Sequence, residues 1–376
     1  MFKKGLIMIL VLLMVSAFLV AGCAPEPAEE EEAAKNQVII ALWSAPEGLF
    51  NPNLWESVYD DYSANPVFAG MMRYDPDNNY ELVSDLAESM EISDDNLSIT
   101  FVLRDDIYFH DGEKMTAEDV KWTFEWMCHP DYTGVRAPMW AFIEGFEAFN
   151  TGAADELTGI EIIDERTISF TLTQIDAPSL TQIATWPISP KHVFEGTAIA
   201  DLETHPAITH PIGAGPFQFV RYVEGQFTEM EAFDDYFRGR PSLDRIIVKV
   251  ITAEVAQAQA LTGEADIIWV QPNAKDFELY EEAGLNIHAM PANAYQYMAM
   301  KQDHPILSDK LVRHAITYAL DRPAMVENLF DGMALQQVSH MSSVSWAYDP
   351  DLKPLPFDPA KATELLDEAG WVMGDG

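Results

Sequence analysis

Basic residues are scarce: 22 Lys and Arg stand against 61 Asp and Glu, and the 376-residue chain carries a formal charge of −39. A field of that sign repels phosphate backbones and anionic lipid headgroups, so nucleic acid and charge-driven membrane binding are poor expectations. Solubility, a salty habitat and a cationic ligand would each explain the acidity, and composition does not separate them. Cysteine is scarcer still. With only Cys23 and Cys128 present, no intrachain disulfide is possible once Cys23 is acylated. Cys128 falls at a helix end just before Pro130, where a small buried apolar thiol is expected rather than a nucleophile. The usual chemical boxes are missing too. The glycine-rich PIGAGPFQFVRY (Pro211 to Tyr222) has neither the Lys-Ser/Thr ending nor the helix that a phosphate loop needs. His205 and His210 each precede a proline in a loop-like spacing, which reads as a solvated loop and not as a metal site. No nucleophile–base pair or cofactor loop competes, so neither an enzyme, a bound metal nor a cofactor is expected.

Long apolar runs are limited to one, Gly5 to Val20, preceded by Lys3 and Lys4 and followed by Val-Ala-Gly before Cys23. Residues 1–22 therefore read as a secretory signal, short for a membrane span. LVAGC resembles a lipobox, which would make Cys23 a lipidated first residue of an exported chain; an uncleaved N-terminal anchor is the alternative. APEPAEEEEAAKN then reads as an acidic, proline-containing tether, so residues 23–36 should hold a domain off the membrane.

The best-specified stretch runs from Leu97 to Met127. Ile99, Phe101 and Leu103 alternate with Thr100, Val102 and Arg104, the period of a half-buried strand. A second short strand is expected at Ile107 to Phe109, then a tight turn at Asp111-Gly112. Thr116 should cap a helix, with Asp119 closing a capping box and Ala117, Val120, Phe124 and Met127 on one face. His110, Asp111, Glu113, Glu118 and Asp119 could be read as a metal or acid–base cluster; turn and cap roles account for most of them without chemistry.

FVLRDDIYFHDGEKMTAEDVKWTF closely resembles the signature of the family 5 extracellular solute-binding proteins, the capture components of peptide- and nickel-type importers. Further blocks follow in order: LTGIEIIDERTISFTL, PIGAGPFQFVRY, FDDYFRGRP, ALTGEADI, LSDKLVRHAITYALDRPAMVENLFDGMA and FDPAKATELLDEAGW. Local departures are Ala214 for threonine, Asp234 and Lys301 for asparagine, and His314 for glutamine. The resemblance implies an α/β, two-lobed periplasmic binding protein-like fold (class II, with an extra inserted domain) and an incomplete second lobe. Residues 37–73 and 211–291 would form a discontinuous base domain, 74–210 the inserted domain and 292–376 part of the second lobe. Within this frame, Arg245 to Ile251, Thr252 to Leu261 and Asp266 to Val270 read as a βαβ unit, and Tyr295 to Met300 as a strand crossing between lobes. Asp309, Asp321 and Asp358 read as caps of three further helices.

The resemblance further implies oligopeptides as ligands, held between lobes and delivered to ABC permease subunits by a monomer; oligosaccharides and nickel chelates are the alternatives, a secreted metal-dependent hydrolase a distant one. Trp43, Trp269, Gln271, Tyr295 and Trp346 are the expected crevice residues, since each sits in or beside a loop or crossing strand that the family places there. Trp43 and Phe50 are as readily read as ordinary core. Relatives continue well past the AGW motif, so a C-terminal truncation, weak peptide binding and exposed apolar surface after about Leu311 are expected.

Overall fold

The computed structural model describes residues 36–78, 81–270, 273–289, 295–343, 345, 348–372 and 374. The signal-like segment with Cys23, and Gln271 and Trp346, lie outside them. The chain forms two compact units, one ending at Ile251 and one beginning at Thr252.

Strands of the first unit are β1 (Gln37–Leu42), β2 (Met72–Asp75), β3 (Glu81–Ser84), β4 (Ala87–Ile92), β5 (Ser98–Leu103), β6 (Ile160–Ile162), β7 (Thr167–Thr171), β8 (Phe217–Val223), β9 (Phe227–Ala232) and β10 (Arg245–Val250). Branched residues dominate β1 (QVIIAL) and β10 (RIIVKV), which suits a sheet packed from both sides. These two run parallel with Leu42 opposite Val250, while β9 pairs antiparallel to β10 and β8 to β9. Leu42, Phe50, Val67, Phe217, Met230 and Val248 fill the core beneath. The nearly buried Glu229 on β9 is satisfied by Arg221 at 2.7 Å and Arg245 at 3.1 Å, tying three neighbouring strands.

A second sheet has the order β4-β5-β7-β6, all antiparallel. The alternation read in the sequence holds: Ile99, Phe101 and Leu103 are buried and Thr100 and Val102 are not. Across β5, Ile168 and Phe170 of β7 present the same face. The helix Ala117–Cys128 lies on it, with Val120, Phe124 and Met127 in the same core and the Phe124 ring edge-on to Phe170 at 5.0 Å. Ile107 and Phe109 are also buried, but the expected strand there reduces to a single bridge, Tyr108 to Lys114. Asp111-Gly112 turns the chain at once: Gly112 has φ +89° and donates to Phe109 O at 2.9 Å, which leaves no length for a ladder.

In the second unit the helix Ala253–Thr262 is capped by Thr252 and stopped by left-handed Gly263, as expected. The strand expected at 266–270 shortens to β11 (Ile267–Ile268). Tyr295 to Met300 forms no strand: positions 295–299 are all exposed, on both faces, with no ladder partner among the described residues. Asp309, Asp321 and Asp358 cap the helices Lys310–Ala319, Arg322–Phe330 and Pro359–Glu368. The first and third cover each other's apolar stripes, with Ala315, Ala362 and Leu365 buried among Leu311, Tyr318 and Leu366. Among the described residues no helix is long and apolar enough to cross a membrane.

Candidate functional site

Trp43 leaves the C-terminal end of β1, where β10 ends in parallel register beside it. Loops at the carboxyl ends of parallel strands are where α/β sheets bind ligands. The loop is pinned from three sides. Tyr222 Oη donates to Pro46 O at 3.3 Å, Asp60 accepts from Gly48 N–H and Leu49 N–H at 2.9 and 3.2 Å, and Phe50 is sunk against Phe219 and Tyr222. Phe50 is thus core, whereas Trp43 is 48% exposed. Its indole meets Tyr59 edge-on at 6.3 Å, and Tyr59 meets Tyr62 in the same way at 6.5 Å. Both tyrosines belong to the helix Val58–Ala64, one turn apart, so three rings form a shelf beside a fixed loop.

The other candidates divide. Trp269 follows β11 and is 49% exposed; Tyr295 is 40% exposed and lies 5.8 Å from the ring of Tyr297, itself 77% exposed. Both belong to the second unit and Trp43 to the first. Gln271 and Trp346 fall outside the described residues. Sequence reasoning passed over Tyr59, Tyr62, Asp60 and Tyr297. The spacing of Trp55, Tyr59 and Tyr62 at helical period was the available signal for two of them.

The charged signature residues have a different task. His110 Nδ1 accepts from Gly213 N–H at 3.3 Å, which places the ring proton on Nε2, facing Gly215 O at 3.0 Å. Burial pushes its pKa down to about 4, and the ring stands edge-on to Phe233 at 4.9 Å. Gly213 and Gly215 are glycine for a packing reason: a Cβ would sit 2.1 Å from Val67 O and 2.5 Å from Pro66 O. Asp119 closes the capping box on Thr116 N–H at 2.9 Å and accepts from Lys191 N–H at 3.0 Å with its other oxygen. Burial pushes its pKa up against those hydrogen bonds. Asp111 meets His192 at 2.8 Å, Glu118 meets Lys191, and Thr123 Oγ1 accepts from Ser189 N–H at 3.0 Å. Three separated segments are clamped together by these contacts, which is a structural role. Among the described residues no group of three or more His, Cys, Asp or Glu could hold a metal ion.

Residues 81–376 match the family described as bacterial extracellular solute-binding proteins, family 5 Middle. The chain belongs to this family. It is 31% identical over 396 aligned residues to the oligopeptide-binding protein AppA of Bacillus subtilis, covering all of this chain and 68% of that one. The AppA structure in complex with a nonapeptide superposes with a TM-score of 0.80 at 29% identity, over 90% of this chain and 65% of that one. NikZ from Campylobacter jejuni, in complex with Ni(L-His), gives 0.75 at 27% identity, over 89% and 63%. The chain therefore spans about two thirds of the length of these relatives. Family 5 likeness assigns the fold class, the mixed α/β, two-lobed architecture of periplasmic binding proteins. Its members are extracellular or periplasmic solute-binding proteins.

Proposed function

We propose that this protein is the capture component of an ABC importer, a binding protein and not an enzyme, that takes oligopeptides between two lobes and passes them to permease subunits. The full-chain likeness to an oligopeptide-binding protein carries this reading. The exposed Trp43 shelf on a fixed loop supports it, because aromatic faces give a ligand apolar contact at low entropic cost. Trp269, Gln271, Tyr295 and Trp346 are the other residues proposed to face the ligand. In the proposed layout 37–73 and 211–291 form the base domain, 74–210 the inserted domain and 292–376 the start of the second lobe. The pairing of β1 with β10 supports a discontinuous base, and the second sheet, drawn wholly from 87–171, supports a separate insert.

The protein acts as an exported monomer, held by a lipid on Cys23 to the outer face of the cell membrane or in the periplasm. A lipid chain on the mature N-terminus is the attachment that Cys23→Ser removes, so the variant should move from the membrane to the soluble fraction; retention would refute anchoring at this residue. Nickel chelates are the second reading, favoured by the NikZ likeness. A thermal-shift screen of the full-length protein against peptides, cello-oligosaccharides and Ni(II)-histidine decides between them. Saturation at a hundredfold excess over Kd adds about 2.7 kcal/mol of stability, enough to read as a rise in Tm. Peptides should give the shift, and a shift with nickel or saccharide alone would reject the peptide assignment.

A further inference from the structure

Asp60 is fully buried in the first turn of the helix Val58–Ala64. Its Oδ1 accepts from Gly48 N–H at 2.9 Å and from Leu49 N–H at 3.2 Å, with a weaker pull from the Glu47 amide. Its Oδ2 is also buried and accepts no hydrogen bond among the described residues. An ionised oxygen held dry and unpartnered is costly, and a proton relieves it. The loop amides favour the charged form, but burial outweighs them and no cation lies among the groups that act on the carboxyl. From the loop, the Glu47 carboxylate repels it, and from β8 the Tyr222 phenol feels Asp60 and Glu224 as repulsive neighbours. On β9, Glu229 is taken by Arg221 and Arg245, and on the helix itself Asp61 is turned to Asn65 at 2.7 Å. Residues next to Asp60 on the same helix, Tyr59 and Tyr62, build the shelf on which Trp43 rests.

We propose that Asp60 is a proton-operated latch that positions the loop 44–50 beside Trp43: protonated, it holds the loop down; ionised, it lets the loop loosen. Its bearing on solute capture rests on the reading of this loop as ligand-facing. Burial pushes the carboxyl from 3.8 up to about 6 in the closed arrangement. An open, hydrated loop returns it toward the ordinary value. Closure is therefore fully supported below the open-state pKa and loses that support as pH rises through about 6. The two values bound the change in the open-to-closed ratio at about a hundredfold.

Hydrogen exchange on the full chain, read by mass spectrometry without any solute, tests this directly. After correction for intrinsic rates, protection of the Gly48 and Leu49 amides should fall about ten- to a hundredfold between pH 4.5 and 7.5, levelling off above the closed-state titration midpoint near 6. Asp60→Asn, neutral at every pH, should show a flat profile. Glu47→Gln changes an exposed loop residue and removes the repulsion, so its midpoint should move to lower pH; this arm stands even where the Asn variant fails to fold. A flat wild-type profile, protection that rises with pH, or an unmoved midpoint in Glu47→Gln would overturn the latch. Because no solute is present, such a failure would leave the capture reading standing. Absent peptide binding beside the expected pH profile would do the reverse.

Discussion

Replacing His110 with glutamine keeps an acceptor for Gly213 N–H and a donor for Gly215 O, yet removes the titration. In the folded protein the imidazole is held down to about 4 by burial, against 6.5 when free. A depressed histidine contributes stability that is present above the free value and lost as pH falls through the folded one. At about 1.4 kcal/mol per pH unit the gap is worth about 3 kcal/mol, and the ring's partial solvent access trims this to about 2–3 kcal/mol. Near pH 7 the variant loses the edge-on contact with Phe233 and should be less stable by about 1 kcal/mol. On acidification toward pH 4 the wild type loses the histidine contribution and the variant does not. The difference should therefore close and reverse, leaving His110→Gln the more stable by about 1–2 kcal/mol. Urea unfolding followed by circular dichroism at half-unit pH steps, with an unchanged m-value, measures it. A wild-type-to-variant difference that stays constant from pH 7 to 4 would refute the clamp as described.

Gly213→Ala drives a Cβ to 2.1 Å from the Val67 carbonyl oxygen, a backbone atom that cannot swing aside, and should cost about 1–3 kcal/mol or more, read as a lowered Tm. Leu365→Ala opens the small cluster between the helices Lys310–Ala319 and Pro359–Glu368 and should cost about 2–4 kcal/mol, with proteolysis rising in the second unit and not in the first. Thr116→Ala removes the capping hydroxyl from the helix Ala117–Cys128 and should cost about 1 kcal/mol in the same urea assay.

What could be read in the sequence was local. Thr116 and Asp119 cap the same helix that both help to form, Gly112 and Gly263 take positive φ where the chain must turn, and Ile99, Phe101 and Leu103 differ from their neighbours by a period of two. Contacts between distant segments leave no such trace. Nothing around His110 announces that its ring bridges two glycines about a hundred residues away, nor that Asp119 reaches Lys191 as well as Thr116. The errors follow the same line. Ile107 to Phe109 and Tyr295 to Met300 carry strand-like residues, but a strand also needs a neighbour, and composition does not supply one. Of the candidate site, the exposed position of Trp43 was legible because its loop follows the first strand, whereas Asp60 was hidden, since burial and not residue type makes it unusual.

The central claim is capture of peptide on a face that includes Trp43. Calorimetric titration of a nonapeptide into the full-length wild type and into Trp43→Ala tests it most directly. The wild type should bind, and the variant should bind about ten- to a hundredfold more weakly, the loss of about 1.4–3 kcal/mol expected for truncating a contacting tryptophan. No heat of binding with the wild type, or equal affinity in the two proteins, would contradict it.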